Sequence, residues 1–396
     1  MRLNNLSPGR RVLLLATVLG AIIVALAAFA EGAIRFRQWT KHGTFTGIEG
    51  TFETDPETGL RILIPGKQVG PIRINSLGFR SPEINVRKPE STIRVAFLGG
   101  STTYCAEVGS NELTWPDLVI QGLRQRWPAA AFDYINGGVP GYTVKSSSKQ
   151  LRQRILALTP DVIVIYQAIN DMSANSLGIA LKRGLIDRPS ERDLMWPSNY
   201  SLLWYLAEKN YRIYSRQDWA RRHSTKLEIN PQEFTETFRS DLTELVEQSK
   251  NIARLTFLVT QTHHLRRDQT PEQQNRAAAV SFYYMPFLSV TGLLDGLDAY
   301  NQAIKDIAAS TGVELIEGAT GIPGDPNHFV DSVHFSETGS RAMAALVLDA
   351  LLRSGPFSDV VTSTLRPRND PGTDGVNSKN APINYTEVRG SSKGRK

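Results

Sequence analysis

A chain of 396 residues with 41% apolar and 21% charged residues has the composition of a globular protein, with length for one large or two ordinary domains. Its formal charge of +6 argues against a nucleic-acid face, because residues 1–11 carry a net +3 and residues 366–396 a net +4, leaving −1 between them. The single cysteine, Cys105, excludes an intrachain disulfide and a cysteine-based zinc site.

The basic segment 1–11 precedes an uncharged run of 19 residues, Val12 to Ala30. That is close to the ~20 residues a helix needs to cross a bilayer. Arg10 and Arg11 set the amino terminus in the cytoplasm and everything after Glu31 outside, in the periplasm or at the cell surface. Ala28-Phe29-Ala30 also has the pattern of a signal-peptidase site, so a cleaved signal and a secreted body is the rival reading. The run is long for a signal core, and Arg35, Arg37 and Lys41 follow it closely. A retained membrane anchor over residues 12–30 is therefore favoured, and both readings export the body.

Residues 31–90 are rich in Gly, Pro and Thr and predict extended segments lying over a domain surface. From Ile93 a regular pattern begins. Ile93–Leu98, Phe132–Ile135, Asp161–Gln167, Leu255–Thr260 and Val313–Glu317 are apolar runs of strand length. Between them, Thr114 predicts the cap of a helix through Trp115, Leu118, Val119 and Leu123. Asn230-Pro231-Gln232-Glu233 has the cap, first-turn proline and N3 glutamate of a helix start, followed by a stripe from Phe234 to Ile252. Leu297 to Ala308 forms another stripe, stopped by Gly312, and Met343 to Leu351 a third. This alternation predicts an α/β fold, a parallel sheet covered on both faces, over residues 91–355. Two stretches, 172–229 and 262–296, fit no core element and are rich in aromatic residues, which suits a lid, an acyl pocket, membrane contact or ordinary packing. The polar tail 366–396 predicts disorder.

The chemistry-bearing residues follow the strands. Ser101 in Gly99-Gly100-Ser101-Thr102 comes after the first, Gly141 after the second, Asn170 after the third, and Asp331 with His334 after the fifth. Ligands bind at that edge of open parallel sheets. A serine hydroxyl needs an imidazole to take its proton, and the imidazole needs a carboxylate to set its tautomer. Singly, each residue has an ordinary use: Ser101 and Asp331 as helix caps, Gly137, Gly138 and Gly141 in a tight turn, Asn170 in a turn, His334 in a loop. Cys105 reads as a small packing residue. His263-His264 reads as a surface pair with no further ligand pattern for a metal, although His263 is a candidate for lining a substrate pocket.

Together these residues resemble the SGNH/GDSL hydrolase family. The four blocks are Gly99-Gly100-Ser101-Thr102, Asn136-Gly137-Gly138-Val139-Pro140-Gly141, Ala168-Ile169-Asn170-Asp171 and Asp331-Ser332-Val333-His334. Asn75-Ser76-Leu77-Gly78-Phe79-Arg80 is similar to a lead-in common in anchored members. The resemblance implies a three-layer α/β/α sandwich on a five-stranded, mainly parallel, flavodoxin-like sheet. It implies Ser101 as nucleophile, His334 as general base, Asp331 as its orienting acid, and an oxyanion hole from the Ser101 and Gly141 N–H groups and the Asn170 side chain. It implies no metal and no organic cofactor, and a small-molecule, glycan or lipid ester as substrate. An O-acyltransferase on a glycan and a non-catalytic glycan-binding component are the alternatives. Block one reads Gly-Gly-Ser where Gly-Asp-Ser is usual, and Ala168 stands where glycine is usual, with the expectation that its methyl crowds Asn170.

Overall fold

The structure, a computed structural model, describes residues 7–42, 51–186, 195–222 and 225–365. The chain begins with a long helix, α1 (Pro8–His42), whose apolar window is wholly unburied by the rest of the protein. Residues 31–42 were expected to be extended and instead continue this helix, which no proline interrupts between Glu31 and His42. Residues 51–73 of the lead-in form two small antiparallel pairs. These are β1 (Phe52–Thr54) with β2 (Arg61–Leu63), and β3 (Gln68–Val69) with β4 (Ile72–Arg73).

The central sheet has five strands: β5 (Thr92–Gly99), β6 (Ala131–Gly138), β7 (Val162–Tyr166), β8 (Leu255–Val259) and β9 (Glu314–Ile316). Their order is β6-β5-β7-β8-β9 and every neighbouring pair is parallel. The helices are α2 (Ser101–Tyr104), α3 (Trp115–Arg126), α4 (Val144–Gln150), α5 (Ile169–Lys182), α6 (Leu202–Arg222) and α7 (Pro231–Ile252). After β8 come α8 (Pro271–Ala277), α9 (Ser281–Tyr284), α10 (Val290–Thr311), α11 (Gly318–Gly321), α12 (Glu337–Arg353) and α13 (Gly355–Leu365).

Alternation along the strands divides the core into two layers. In β5, Ile93, Val95 and Phe97 point to the side covered by α3, α12 and α13, where Trp115, Val119, Met343, Val347 and Phe357 are buried. Ala96 and Leu98 point to the other side, against Val144 of α4, Met172 of α5, Phe234 and Leu242 of α7 and Ile304 of α10. With both faces covered, the strands read as continuous apolar runs. The sheet order reverses direction between β5 and β7, so the crevice beyond their carboxyl ends lies at the topological switch point.

Several local expectations need correction. Thr114 does stand at the N-cap of α3, but its hydroxyl donates to the Asn111 carbonyl, so no side-chain cap forms. The segment 172–229 is not wholly outside the core, since α5 buries Met172, Ile179 and Ala180 beneath the sheet. Likewise the end of 262–296 opens α10, with Ser289 accepting the Gly292 N–H as its cap. At α7, Asn230 accepts from the Gln232 and Glu233 N–H groups, and Gly312 closes α10 at φ +71°. The tail 366–396 lies outside the described residues.

Candidate active site

Ser101 is the first residue of α2, immediately after Gly99 and Gly100 leave β5. The turn needs glycine because other parts of the site press on it. A Cβ on Gly100 would lie 2.7 Å from Asn170 Nδ2, and one on Gly138 would lie 2.4 Å from the Tyr104 backbone nitrogen. The ends of β5, β6 and β7 are thus brought together at backbone distance. Gly141 adopts φ +86°, a left-handed value that favours glycine, and turns the chain after β6 toward α4.

The final segment completes the approach from the other end of the chain. His334 Nε2 lies 2.7 Å from Ser101 Oγ, and His334 Nδ1 lies 2.7 Å from Asp331 Oδ2. The other Asp331 oxygen accepts the backbone N–H groups of Val333 and His334, each at 2.9 Å. The carboxylate is therefore held by its own loop as well as by the ring. Burial pushes the Asp331 carboxyl up, but the His334 bond and charge and these N–H donors outweigh it and hold the group below its ordinary range. Burial pulls the His334 imidazole down, yet the Asp331 bond and the Glu107 and Asp331 charges leave it above its ordinary value. A carboxylate, an imidazole and a hydroxyl stand in one hydrogen-bonded line, the arrangement that moves a proton off a serine.

Asn170 lies in the first turn of α5. One amide N–H donates to the Tyr142 carbonyl at 2.9 Å, and the amide carries a second N–H. Its neighbour Asp171 is buried and accepts the Val144 N–H at 3.0 and 3.2 Å, which ties the start of α4 to the start of α5. Burial pushes the Asp171 carboxyl up to about 7. Ala168 is buried at the N-cap of α5, and its methyl packs among the core side chains. If Asn170 donates to an oxyanion, Asn170→Ala is expected to lower kcat by ~10²–10³ with KM little changed, read from steady-state ester hydrolysis.

Some residues around the site were not foreseen. Arg80 is completely buried, with Nη1 donating to the Tyr104 and Cys105 carbonyls, Nε to Asn111 Oδ1 and Nη2 to the Ser110 carbonyl. It braces the chain just beyond the helix that begins at Ser101. The lead-in adds Tyr142 Oη donating to the Arg61 carbonyl, and Leu60, Leu63, Ile72 and Ile74 packed with Tyr104 and Tyr142. Sequence singled out Arg80 only as the end of the Asn75–Arg80 motif. Glu107, whose charge acts on His334, carried no signal.

His263 is not at the surface. It is buried, with Nδ1 3.0 Å from the Arg266 guanidinium, and burial followed by the Arg266 charge pulls it down to about 3. His264 meets the site loop instead: its backbone N–H donates to the Ser332 carbonyl at 2.9 Å and its Nδ1 lies 3.2 Å from the Asp331 carbonyl. Cys105 caps the end of α2, and burial pushes its thiol up to about 12, which leaves it un-ionised near neutral pH. Among the described residues, no group of three or more His, Cys, Asp or Glu side chains is placed to hold a metal ion.

The family model for the GDSL-like lipase/acylhydrolase family matches residues 97–342, more than half of the chain. No curated protein matches it. Among solved structures it is similar to Axe2, an acetylxylan esterase from Geobacillus stearothermophilus, with 16% identity over 66% of this chain and 96% of that one and a TM-score of 0.40. It is also similar to LAE5, an alpha/beta hydrolase enzyme from the metagenome of Lake Arreo, Spain, with 14% identity over 65% of this chain and 94% of that one and a TM-score of 0.41. The family match spans Ser101, Gly141, Asn170, Asp331 and His334 alike, and the chain belongs to the GDSL-like lipase/acylhydrolase family of ester-hydrolysing enzymes.

Proposed function

We propose that the protein is a membrane-anchored serine esterase that works outside the cytoplasm through an acyl-enzyme. The observation that carries the reading is the 2.7 Å approach of His334 Nε2 to Ser101 Oγ, made by residues 233 positions apart. In this reaction His334 takes the Ser101 proton as Oγ bonds to the ester carbonyl carbon. The carbonyl electrons move onto oxygen, where the Ser101 and Gly141 N–H groups and the Asn170 amide receive them. When the carbonyl re-forms, the alkoxide leaves and takes the proton from His334 Nε2. Water then repeats the sequence: His334 removes its proton, hydroxide adds to the acyl carbon, and Ser101 leaves with the proton returned. Asp331 keeps Nδ1 protonated throughout, so that Nε2 faces the serine as an acceptor.

The location rests on α1, whose length and composition suit a bilayer span, and on Arg10 and Arg11 at its start. The substrate is then a carboxylic ester of an envelope glycan or lipid. A fluorophosphonate probe tests the chemistry. The intact protein is expected to carry one adduct, on the peptide containing Ser101, and Ser101→Ala none. Probe retained elsewhere in Ser101→Ala, or nitrophenyl acetate hydrolysed equally by both proteins, sinks the proposal.

A further inference from the structure

The ester chemistry makes no use of the aromatic side chains of residues 195–214. Trp196, Tyr200, Trp204, Tyr211 and Tyr214 are between 44 and 78% exposed. Within α6 the exposed Trp204, Ala207, Tyr211 and Tyr214 recur at helical spacing, which places them on one face. A stripe with that period ordinarily faces a core. Here it faces outward.

The end of the apolar run meets the start of this face. Glu31 is the first charged residue after Val12–Ala30. Its carboxylate accepts the Leu202 and Leu203 backbone N–H groups at 2.9 and 2.7 Å and the Ser201 hydroxyl at 2.9 Å. Arg35 Nη2 donates to the Tyr200 carbonyl at 3.1 Å. The place where α1 leaves the apolar layer is therefore bonded to the amino-terminal end of α6. Phe36 and Trp39 on α1 and Lys209 on α6 are exposed as well. Tyrosine and tryptophan, with an apolar ring and a polar tip, together with lysine and arginine, suit the headgroup layer.

We propose that the aromatic face of residues 195–214 rests in the headgroup layer of the bilayer that α1 crosses, and so presents the site to esters held at the membrane surface. The proposal rests on the reading of α1 as a membrane anchor. Contacts run on from α6 to the acid–base loop. Arg216 donates to the Tyr283 carbonyl at 3.1 Å, with its guanidinium 4.8 Å from that ring's centre, and the Ser281 N–H of the same short helix donates to Ser332 Oγ at 3.1 Å. A helix seated on the membrane thus bears on the segment between Asp331 and His334.

The test uses the full chain in vesicles of phosphatidylcholine and phosphatidylglycerol. An environment-sensitive fluorophore is attached at Tyr211→Cys, at Leu19→Cys within α1, or at Ser358→Cys on α13, Cys105 being buried. Lipids with a nitroxide near the headgroup are expected to quench the label at 211, lipids with a deep nitroxide the label at 19, and neither the label at 358. Deep quenching at 19 with none at 211 overturns the docking and leaves the anchor standing. No quenching at 19 removes the anchor reading and the proposal with it. A second measurement compares nitrophenyl acetate in solution with a ring-alkylated nitrophenyl acetate held in the vesicles. Trp204→Ser combined with Tyr211→Ser and Tyr214→Ser is expected to lose rate on the vesicle-held ester alone. An equal loss on both esters, or none on either, overturns the claim about presentation.

Discussion

The double variant Ser101→Ala with His334→Ala is expected to be no slower than either single variant, each losing on the order of 10⁶-fold in kcat. In the proposed reaction the two groups perform one event. Without His334 the Ser101 proton has nowhere to go, and without Ser101 the imidazole has nothing to activate at 2.7 Å. Independent contributions would multiply and drive the double variant far below the singles. Hydrolysis of nitrophenyl acetate measures all three, with circular dichroism checking that each is folded. Some 10³–10⁴-fold acceleration over water is expected to survive in every case, since the proposed Gly141 and Asn170 donors are untouched. A double variant much slower than both singles, or a single variant within tenfold of the native rate, would contradict the shared proton path.

The approach of these groups was legible because the first three blocks sit at the ends of strands and the last lies in the loop region after the fifth, and the strands announce themselves as apolar runs. Ser101 after Ile93–Leu98 and Asn170 after Asp161–Gln167 needed only the rule that parallel sheets bind at their carboxyl edge. What stayed hidden is set by distant contacts. Arg80 is in sequence only the end of the Asn75–Arg80 motif, and tertiary structure alone reveals that the carbonyls of Tyr104, Cys105 and Ser110 accept its N–H groups in the interior. His263 reads as exposed next to His264, but the first ring is buried against the Arg266 guanidinium and the second meets the Asp331 loop. The lead-in shows the same limit. Its short strands are too brief for a periodic signal, yet its Leu60, Leu63 and Ile72 pack against Tyr104 and Tyr142 beside the site. The continuation of α1 through His42 depended on the absence of proline from 31–42, which composition rich in Gly and Thr further along obscured.

Asp331→Asn is expected to cost about 10⁴ in kcat, because the amide would set the wrong imidazole tautomer. One Asp331 oxygen already accepts two backbone N–H groups, from Val333 and His334. An asparagine keeps those bonds only by placing its oxygen there, which turns its NH₂ toward His334 Nδ1. The ring must then accept at Nδ1 and carry its proton on Nε2, where it can no longer take one from Ser101. The pH profile tests the electrostatic side of the same contact. In the native protein the carboxylates of Asp331 and Glu107 raise the His334 pKa against the pull of burial, and the proposed base works as the neutral ring. Activity therefore rises as pH increases through that raised pKa and is lost below it. Removing the Asp331 charge lowers the imidazole pKa, so the residual activity of Asp331→Asn should extend to lower pH even as its maximum falls. Glu107→Gln, which leaves the tautomer alone, should move the acid limb in the same direction at a far smaller cost in rate. A profile of kcat/KM against pH separates these outcomes: simple damage to the fold lowers the maximum and leaves the limb where it was, whereas loss of a carboxylate that charges the ring must move it.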